Sequence, residues 1–215
     1  MLTIENLVCR FPDGDGKTIR ALSLGMANLD NDAWALIGPS GSGKTTLLHT
    51  ISGLVTPSEG KIFVDGKNVA EMEAEELRRF RAEEIGYIFQ KPLLLPYLNV
   101  EENIELSAKM SGKPYDKAEV KKLLEIVGLS GYGKRNPAKL SGGEAQRVAF
   151  LRAIIRKPSI LLADEPTASL DRENGEILMR EMLSYQKQSG CLLLCATHDE
   201  KVQNLFGKKL YLTRE

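Results

Sequence analysis

Gly38-Pro39-Ser40-Gly41-Ser42-Gly43-Lys44-Thr45 sets two glycines around four intervening residues and follows the second with lysine and a hydroxyl residue. That is the phosphate-loop pattern. Upstream, Ala33-Trp34-Ala35-Leu36-Ile37 reads as a buried strand, and downstream Thr46-Leu47-Leu48-His49-Thr50-Ile51 reads as the opening of a helix, which is the context the motif requires. A backbone that wraps a phosphate takes positive φ angles and turns its N–H groups onto the anion, so it needs residues without a Cβ. Lys44 adds a point charge toward the β- and γ-phosphates, and the Thr45 hydroxyl suits Mg²⁺. The plainer reading is a glycine-rich turn that merely precedes a helix.

The 215 residues suffice for one large domain, or for one with a smaller lobe. Lysine plus arginine and aspartate plus glutamate each number 29, so the net charge is zero and no broad basic field offers itself to nucleic acid. A small anion or a protein partner is expected instead. No apolar run approaches the roughly 20 residues of a membrane-spanning helix, and the N-terminus lacks the pattern of a signal peptide, so a cytoplasmic place is expected. Cys9, Cys191 and Cys195 read as small buried hydrophobes. With only His49 and His198 in the chain, a zinc site is not expected.

Residues 2–8 alternate loosely in the manner of a half-buried strand, and a turn is expected at Pro12-Asp13-Gly14-Asp15-Gly16. Phe11 stands between them, either as a face on which adenine stacks or as ordinary core. After the breaker cluster Thr56-Pro57-Ser58-Glu59-Gly60, residues 61–66 read as an edge strand closed by Asp65-Gly66. Residues 73–84 read as a charged helix docked through Leu77 and Phe80, and Ile85-Gly86-Tyr87-Ile88-Phe89 as a strand ending at Gln90. Lys91 to Leu98 holds too many prolines for a helix interior yet is mostly apolar. It either packs back on its own domain or forms a contact surface for another protein. A helix entered at Asn99 follows, and then a second one from Asp116, with Glu119 completing a capping box, that stops at Gly128.

Leu140-Ser141-Gly142-Gly143-Glu144 opens a helix ending before Pro158, and its exposed N–H groups form a second possible anion site. Ile160-Leu161-Leu162-Ala163-Asp164-Glu165 reads as a strand covered on both faces that ends in two carboxylates. Asp164 suits a Mg²⁺ shell. Glu165, pointing the other way by strand alternation, suits polarising a water for attack on a γ-phosphate. Thr167 to Asp171 forms a turn into a helix over 172–188, with Ile177, Leu178, Met182 and Leu183 as its buried stripe. A covered strand through Leu192-Leu193-Leu194 delivers His198, either to a phosphate or a catalytic water, or as a plain polar loop residue.

The ordered set of these stretches resembles the nucleotide-binding subunit of ABC transporters over essentially the whole chain. The resemblance implies an α/β fold: a P-loop NTPase core with a parallel-rich sheet, an N-terminal antiparallel β subdomain and an inserted helical subdomain. Residues 1–90 and 158–215 would form the core and 91–157 the helical part, all within one domain. It further implies ATP contacts at Phe11, at Gly38 through Thr45 and at Thr46, and Mg²⁺ held by Thr45, Gln90 and Asp164. Catalysis would fall to Glu165, His198 and Gln90, with Leu140 to Glu144 as the signature motif and Ser169, Leu170 and Asp171 as the D-loop.

In that family two subunits meet head to tail, so Ser141 and Gly143 of one copy would close over the phosphate held by Lys44 of the other. The segment Gln90–Leu98 would touch an integral membrane permease and hold the protein at the inner face of the membrane. The Glu84-to-Gln90 run and Leu94-Leu95-Pro96 look most like ATPases of lipoprotein-releasing and macrolide-exporter systems. Leu151-Arg152-Ala153 and Ala168-Ser169 depart from that pattern. An alternative is a soluble ABC-type ATPase acting on ribosomes or DNA, which the neutral charge and single nucleotide unit disfavour.

Overall fold

In the computed structural model, which describes residues 1–13, 17–112 and 115–214, strand β1 (Leu2–Pro12) buries Leu2, Ile4, Leu7 and Cys9. The inward phase slips between Ile4 and Leu7. Asn6 absorbs the slip with φ +46, where the register against β5 shifts. β1 runs past Val8, where the sequence suggested an end, because β2 (Thr18–Leu24) pairs with it as far as Pro12. Phe11 therefore lies within a strand, opposite Ile19. Of the expected turn at 12–16, residues 14–16 lie outside the described residues.

β3 (Ala27–Leu29) and β5 (Glu59–Val64) also pair antiparallel with β1, and the two-residue β6 (Lys67–Asn68) returns along β5. The stretch expected to be an edge strand is thus flanked on both sides. An Asp-Gly hairpin supplied the second neighbour.

The second sheet is wholly parallel. It takes β4 (Ala33–Ile37), β7 (Ile85–Ile88), β8 (Ile160–Asp164), β9 (Leu192–Ala196) and β10 (Lys208–Tyr211) in the order β10-β4-β9-β8-β7. Alternate residues of the central strands enter different cores. Leu36, Leu162 and Leu194 pack toward the antiparallel sheet and helix α1 (Lys44–Ile51). Ala35, Leu161, Leu193 and Cys195 pack on the opposite side. Coverage on both faces explains why these strands read as unbroken apolar runs.

That second core also takes in α3 (Val100–Ser111), α4 (Lys117–Ile126), α5 (Gly142–Ile154) and α6 (Arg172–Ser189). The charged α2 (Ala74–Glu83) buries Phe80 and half-buries Leu77, and α7 (Glu200–Gln203) precedes β10. Two caps differ in kind. Asn99 and Glu102 form a reciprocal capping box on α3. On α4 Asp116 accepts from the Ala118 N–H, so the box expected with Glu119 is not made. The buried stripe of α6 is Leu178, Met179, Met182 and Gln186, while Ile177 is only half-buried. Cys9, Cys191 and Cys195 are buried free thiols.

Candidate functional site

Four neighbouring strands of the parallel sheet, β4, β9, β8 and β7, end at Ile37, Ala196, Asp164 and Ile88. Adjacent parallel strands lie about 4.8 Å apart, so residues far apart in sequence emerge side by side at the carboxyl edge. β4 delivers the phosphate loop, β9 delivers His198, β8 delivers Asp164 and Glu165, and β7 leads to Gln90.

The loop turns into α1 through Gly43, which caps the helix at φ +89. A Cβ at Gly43 would collide with the Ala21 carbonyl of β2, so both the angle and the space call for glycine. Lys44 is buried, and its Nζ lies 2.8 Å from the Gly38 carbonyl and 3.2 Å from that of Pro39, so the ammonium sits inside the curl of the loop. Ser42 Oγ is buried with no hydrogen-bond partner. An orphaned hydroxyl and a cation held only by carbonyls suit an incoming anion.

Next to the loop, Thr45 Oγ1 donates to Asp164 Oδ2 at 2.8 Å. Burial pushes the Asp164 carboxyl above its usual range, the Thr45 hydrogen bond opposes this, and the Glu165 charge adds to it. A hydroxyl and a carboxylate meeting beside an anion cradle form a hard oxygen set, which fits Mg²⁺. Gln90 is exposed at the end of β7.

Glu165 does not follow strand alternation. It adopts φ +46, while its N–H donates to the Ala196 carbonyl at 2.9 Å. The left-handed turn, not alternation, sets its direction, and its Oε2 lies 2.6 Å from His198 Nδ1. A carboxylate can only accept, so a hydrogen bond across this contact is one that Nδ1–H would donate. The sequence had proposed the two residues separately and gave no sign that they touch.

Phe11 is 38% exposed on β1. The turn at Ser141 is closed by its own capping box: the Glu144 N–H donates to Ser141 Oγ, and Glu144 Oε2 accepts the Ser141 N–H at 2.7 Å. Leu140 is half-buried. A Cβ on Gly143 would come within 2.6 Å of Asn174 in α6, and one on Gly142 would stand 3.8 Å from the Ser169 carbonyl, so the turn lies against α6 and the Ser169-Leu170 segment that precedes it. Asp171 caps α6 through the Asn174 N–H, and Arg147 Nη1 donates to Asn174 Oδ1 at 2.7 Å. Among the described residues the Ser141 side chain's hydrogen bonding stays within this cap and does not reach the phosphate loop.

Three features went unread in the sequence. Tyr87 stacks on Phe89 at 4.2 Å and is tilted against His49, forming an aromatic row from α1 to the end of β7. Burial and the nearby Asp164 charge push the Tyr87 phenol up. Gln146 of α5 donates to the Phe89 carbonyl at 2.8 Å, one residue before Gln90. Its polar character within an otherwise apolar helix face was the available signal.

A family model described as "ABC transporter" matches residues 22–168. The lipoprotein-releasing system ATP-binding protein LolD of Nitratidesulfovibrio vulgaris is 39% identical over 203 residues, covering 93% of this chain and 87% of LolD. A putative ABC transporter ATP-binding protein, MG065 of Mycoplasma genitalium, is 38% identical over 200 residues. The match takes in 92% of this chain but only 43% of MG065, so the chain spans less than half the length of that relative. Among solved structures, the dimeric post-hydrolysis state of the ATP-binding cassette MJ0796, bound to ADP and Pi, superposes with a TM-score of 0.90 at 31% identity. It covers 99% of this chain and 94% of the other.

Proposed function

This chain belongs to the ABC transporter family, as an ATP-binding cassette that hydrolyses ATP, and from that premise we propose how its residues divide the work. Relatives named as transporter subunits speak for transport and not for action on ribosomes or DNA.

The adenine stacks on Phe11. The phosphates lie along the N–H groups of residues 38–46, with Lys44 exchanging the carbonyls of Gly38 and Pro39 for the β- and γ-phosphates. Thr45 and Asp164, with Gln90, would hold Mg²⁺, which when bound offsets the charge on the β- and γ-phosphate oxygens. Glu165 accepts a proton from the attacking water as the new O–P bond forms at the γ-phosphorus and the bond to the bridging oxygen breaks. His198 steers that carboxylate through Nδ1–H and presents Nε2 to the phosphate side. A second copy, head to tail, closes the site with its Ser141–Gly143 turn and its segment Ser169–Asp171. A membrane permease sits on Gln90–Leu98 and keeps the protein at the inner membrane face. Residues 91–157 act as the helical part that swings toward the partner copy. Among transporters, a permease of the kind served by lipoprotein-releasing relatives is the first to seek.

The contact between Glu165 Oε2 and His198 Nδ1 beside Asp164 is the observation that carries this reading. Replacing Glu165 with Gln should lower hydrolysis by about 10²- to 10⁴-fold, the usual worth of a general base, while ATP still binds and now holds a dimer visible by light scattering. Hydrolysis at the wild-type rate would remove Glu165 from the role of base.

A further inference from the structure

The segment after Gln90 shows side chains that face outward on a backbone that is gripped from within. Leu93, Leu95 and Tyr97 are 57%, 38% and 88% exposed. Beneath them, Arg152 of α5 donates from Nη1 to the Leu93 carbonyl at 2.8 Å and from Nη2 to the Pro92 carbonyl at 2.9 Å. From α3, the fully buried Asn103 accepts the Leu95 N–H and donates to the carbonyls of Leu95 and Leu98. Leu93 has φ +47, a left-handed conformation that disfavours any residue but glycine, and Arg152 fastens the carbonyls on both sides of that strained unit.

Holding this geometry carries an electrostatic cost. Burial lowers the pKa of the Arg152 guanidinium, and burial first, with the Arg152 charge adding to it, lowers that of Arg156 just past the end of the helix. Arg156 donates to the carbonyls of Ala82 and Ile85, both at 2.6 Å. Among the described residues neither arginine has a carboxylate partner, so two like charges are held by carbonyls alone, and Arg156 Nε is buried without a partner. Gln146, on the same helix, grips Phe89. α5 thus holds the main chain on both sides of Gln90, and its first turn is the Ser141 cap.

We propose that Arg152 is a positioning residue that locks the outward Leu93–Tyr97 surface to the helix carrying Ser141, so that a load placed on that surface is delivered to the Ser141 turn. This rests on the reading of Gln90–Leu98 as the permease contact. A fork that spans two successive carbonyls fixes the orientation of the peptide between them as well as its distance. A lysine at the same position offers a single ammonium in place of the planar fork, so it can hold the segment but fixes the orientation of that peptide less firmly.

The test compares wild type, Arg152→Lys and Arg152→Ala in the full chain, alone and in the complex captured from detergent-solubilised membranes of the cells that make it. Hydrolysis by the chain alone should stay within about twofold in both variants. Stimulation by the membrane complex should fall about tenfold in Arg152→Ala, within the usual range for coupling between sites, and recover only in part in Arg152→Lys. Equal stimulation in all three, or an equal loss in the chain alone, overturns the proposal. If wild type captures no membrane protein, the docking reading fails instead, and hydrogen exchange on the chain alone decides for Arg152. The amides of residues 93–95, 97 and 98 should then exchange about tenfold faster in Arg152→Ala, and unchanged exchange there rejects the lock. Should Arg152→Ala not fold, Arg152→Lys carries the same comparisons.

Discussion

Ionising Asp164 carries a cost, since burial raises its pKa and among the described residues Thr45 is its one hydroxyl donor. Replacing Asp164 with Asn keeps an acceptor for Thr45 and removes the buried charge. The nucleotide-free chain should therefore melt at a higher temperature while Mg²⁺-dependent hydrolysis is lost, as calorimetry and a phosphate-release assay would show. Unchanged or lowered melting would mean that the carboxylate is solvated well enough to cost nothing. Lys44 presents the same economy in the opposite sign: a buried ammonium waits on carbonyls. Sites that bind charge tightly are commonly those whose own charges are incompletely satisfied beforehand. The left-handed Glu165 belongs to the same group, because its strained turn is what brings its carboxylate to His198.

At the scale of the element, α5 depends on the pair Ser141 and Glu144. Hydrogen bonding to the Ser141 N–H holds the Glu144 carboxyl below its usual range. A carboxylate whose folded pKa is depressed contributes stability above its unfolded pKa, and that stability is lost as pH falls through the folded value. Glu144→Ala should thus lower the melting temperature at neutral pH, the cap being worth about 1 kcal/mol. The difference from wild type should shrink once the pH drops below the ordinary glutamate value of 4.5. A difference that is constant with pH would show that the cap works through its neutral form. The comparison with α4 is instructive, since Asp116 and Glu119 have the right spacing there but only the single Asp116 cap forms. Spacing alone proposes a box, and the local path of the chain disposes of it.

At the scale of the whole molecule, one copy carries a phosphate loop and a serine-glycine turn, and the turn lies against Asn174 of α6 and the Ser169-Leu170 segment before it. A composite site formed by two copies makes a sharp quantitative statement. Lys44→Ala and Ser141→Arg should each be inactive alone. Mixed in equal amounts they should regain about a quarter of wild-type hydrolysis, because about half of the pairs are mixed and each holds one intact site of two. A mixture as inactive as its components would mean that Ser141 does not serve a site on the second copy.

Much of this protein was legible in its sequence because each strong signal is local. A glycine must stand where the chain turns with positive φ against another backbone, as Gly43 does beneath Ala21, and a doubly covered strand must be apolar throughout, as Leu161 to Ala163 are. Such requirements print themselves on a few consecutive residues. Strand order, and with it the meeting of His198 with Glu165, required tertiary structure, because β9 inserts between β4 and β8 through pairings that no local stretch encodes. The same holds for the continuation of β1 through Phe11 and for the grip of Arg152 on Pro92 and Leu93 across 60 and 59 residues of chain. A side chain's partner is chosen by the packing of the elements that carry it. An arginine in a helix looks the same in sequence whether it faces water or holds a distant loop in place.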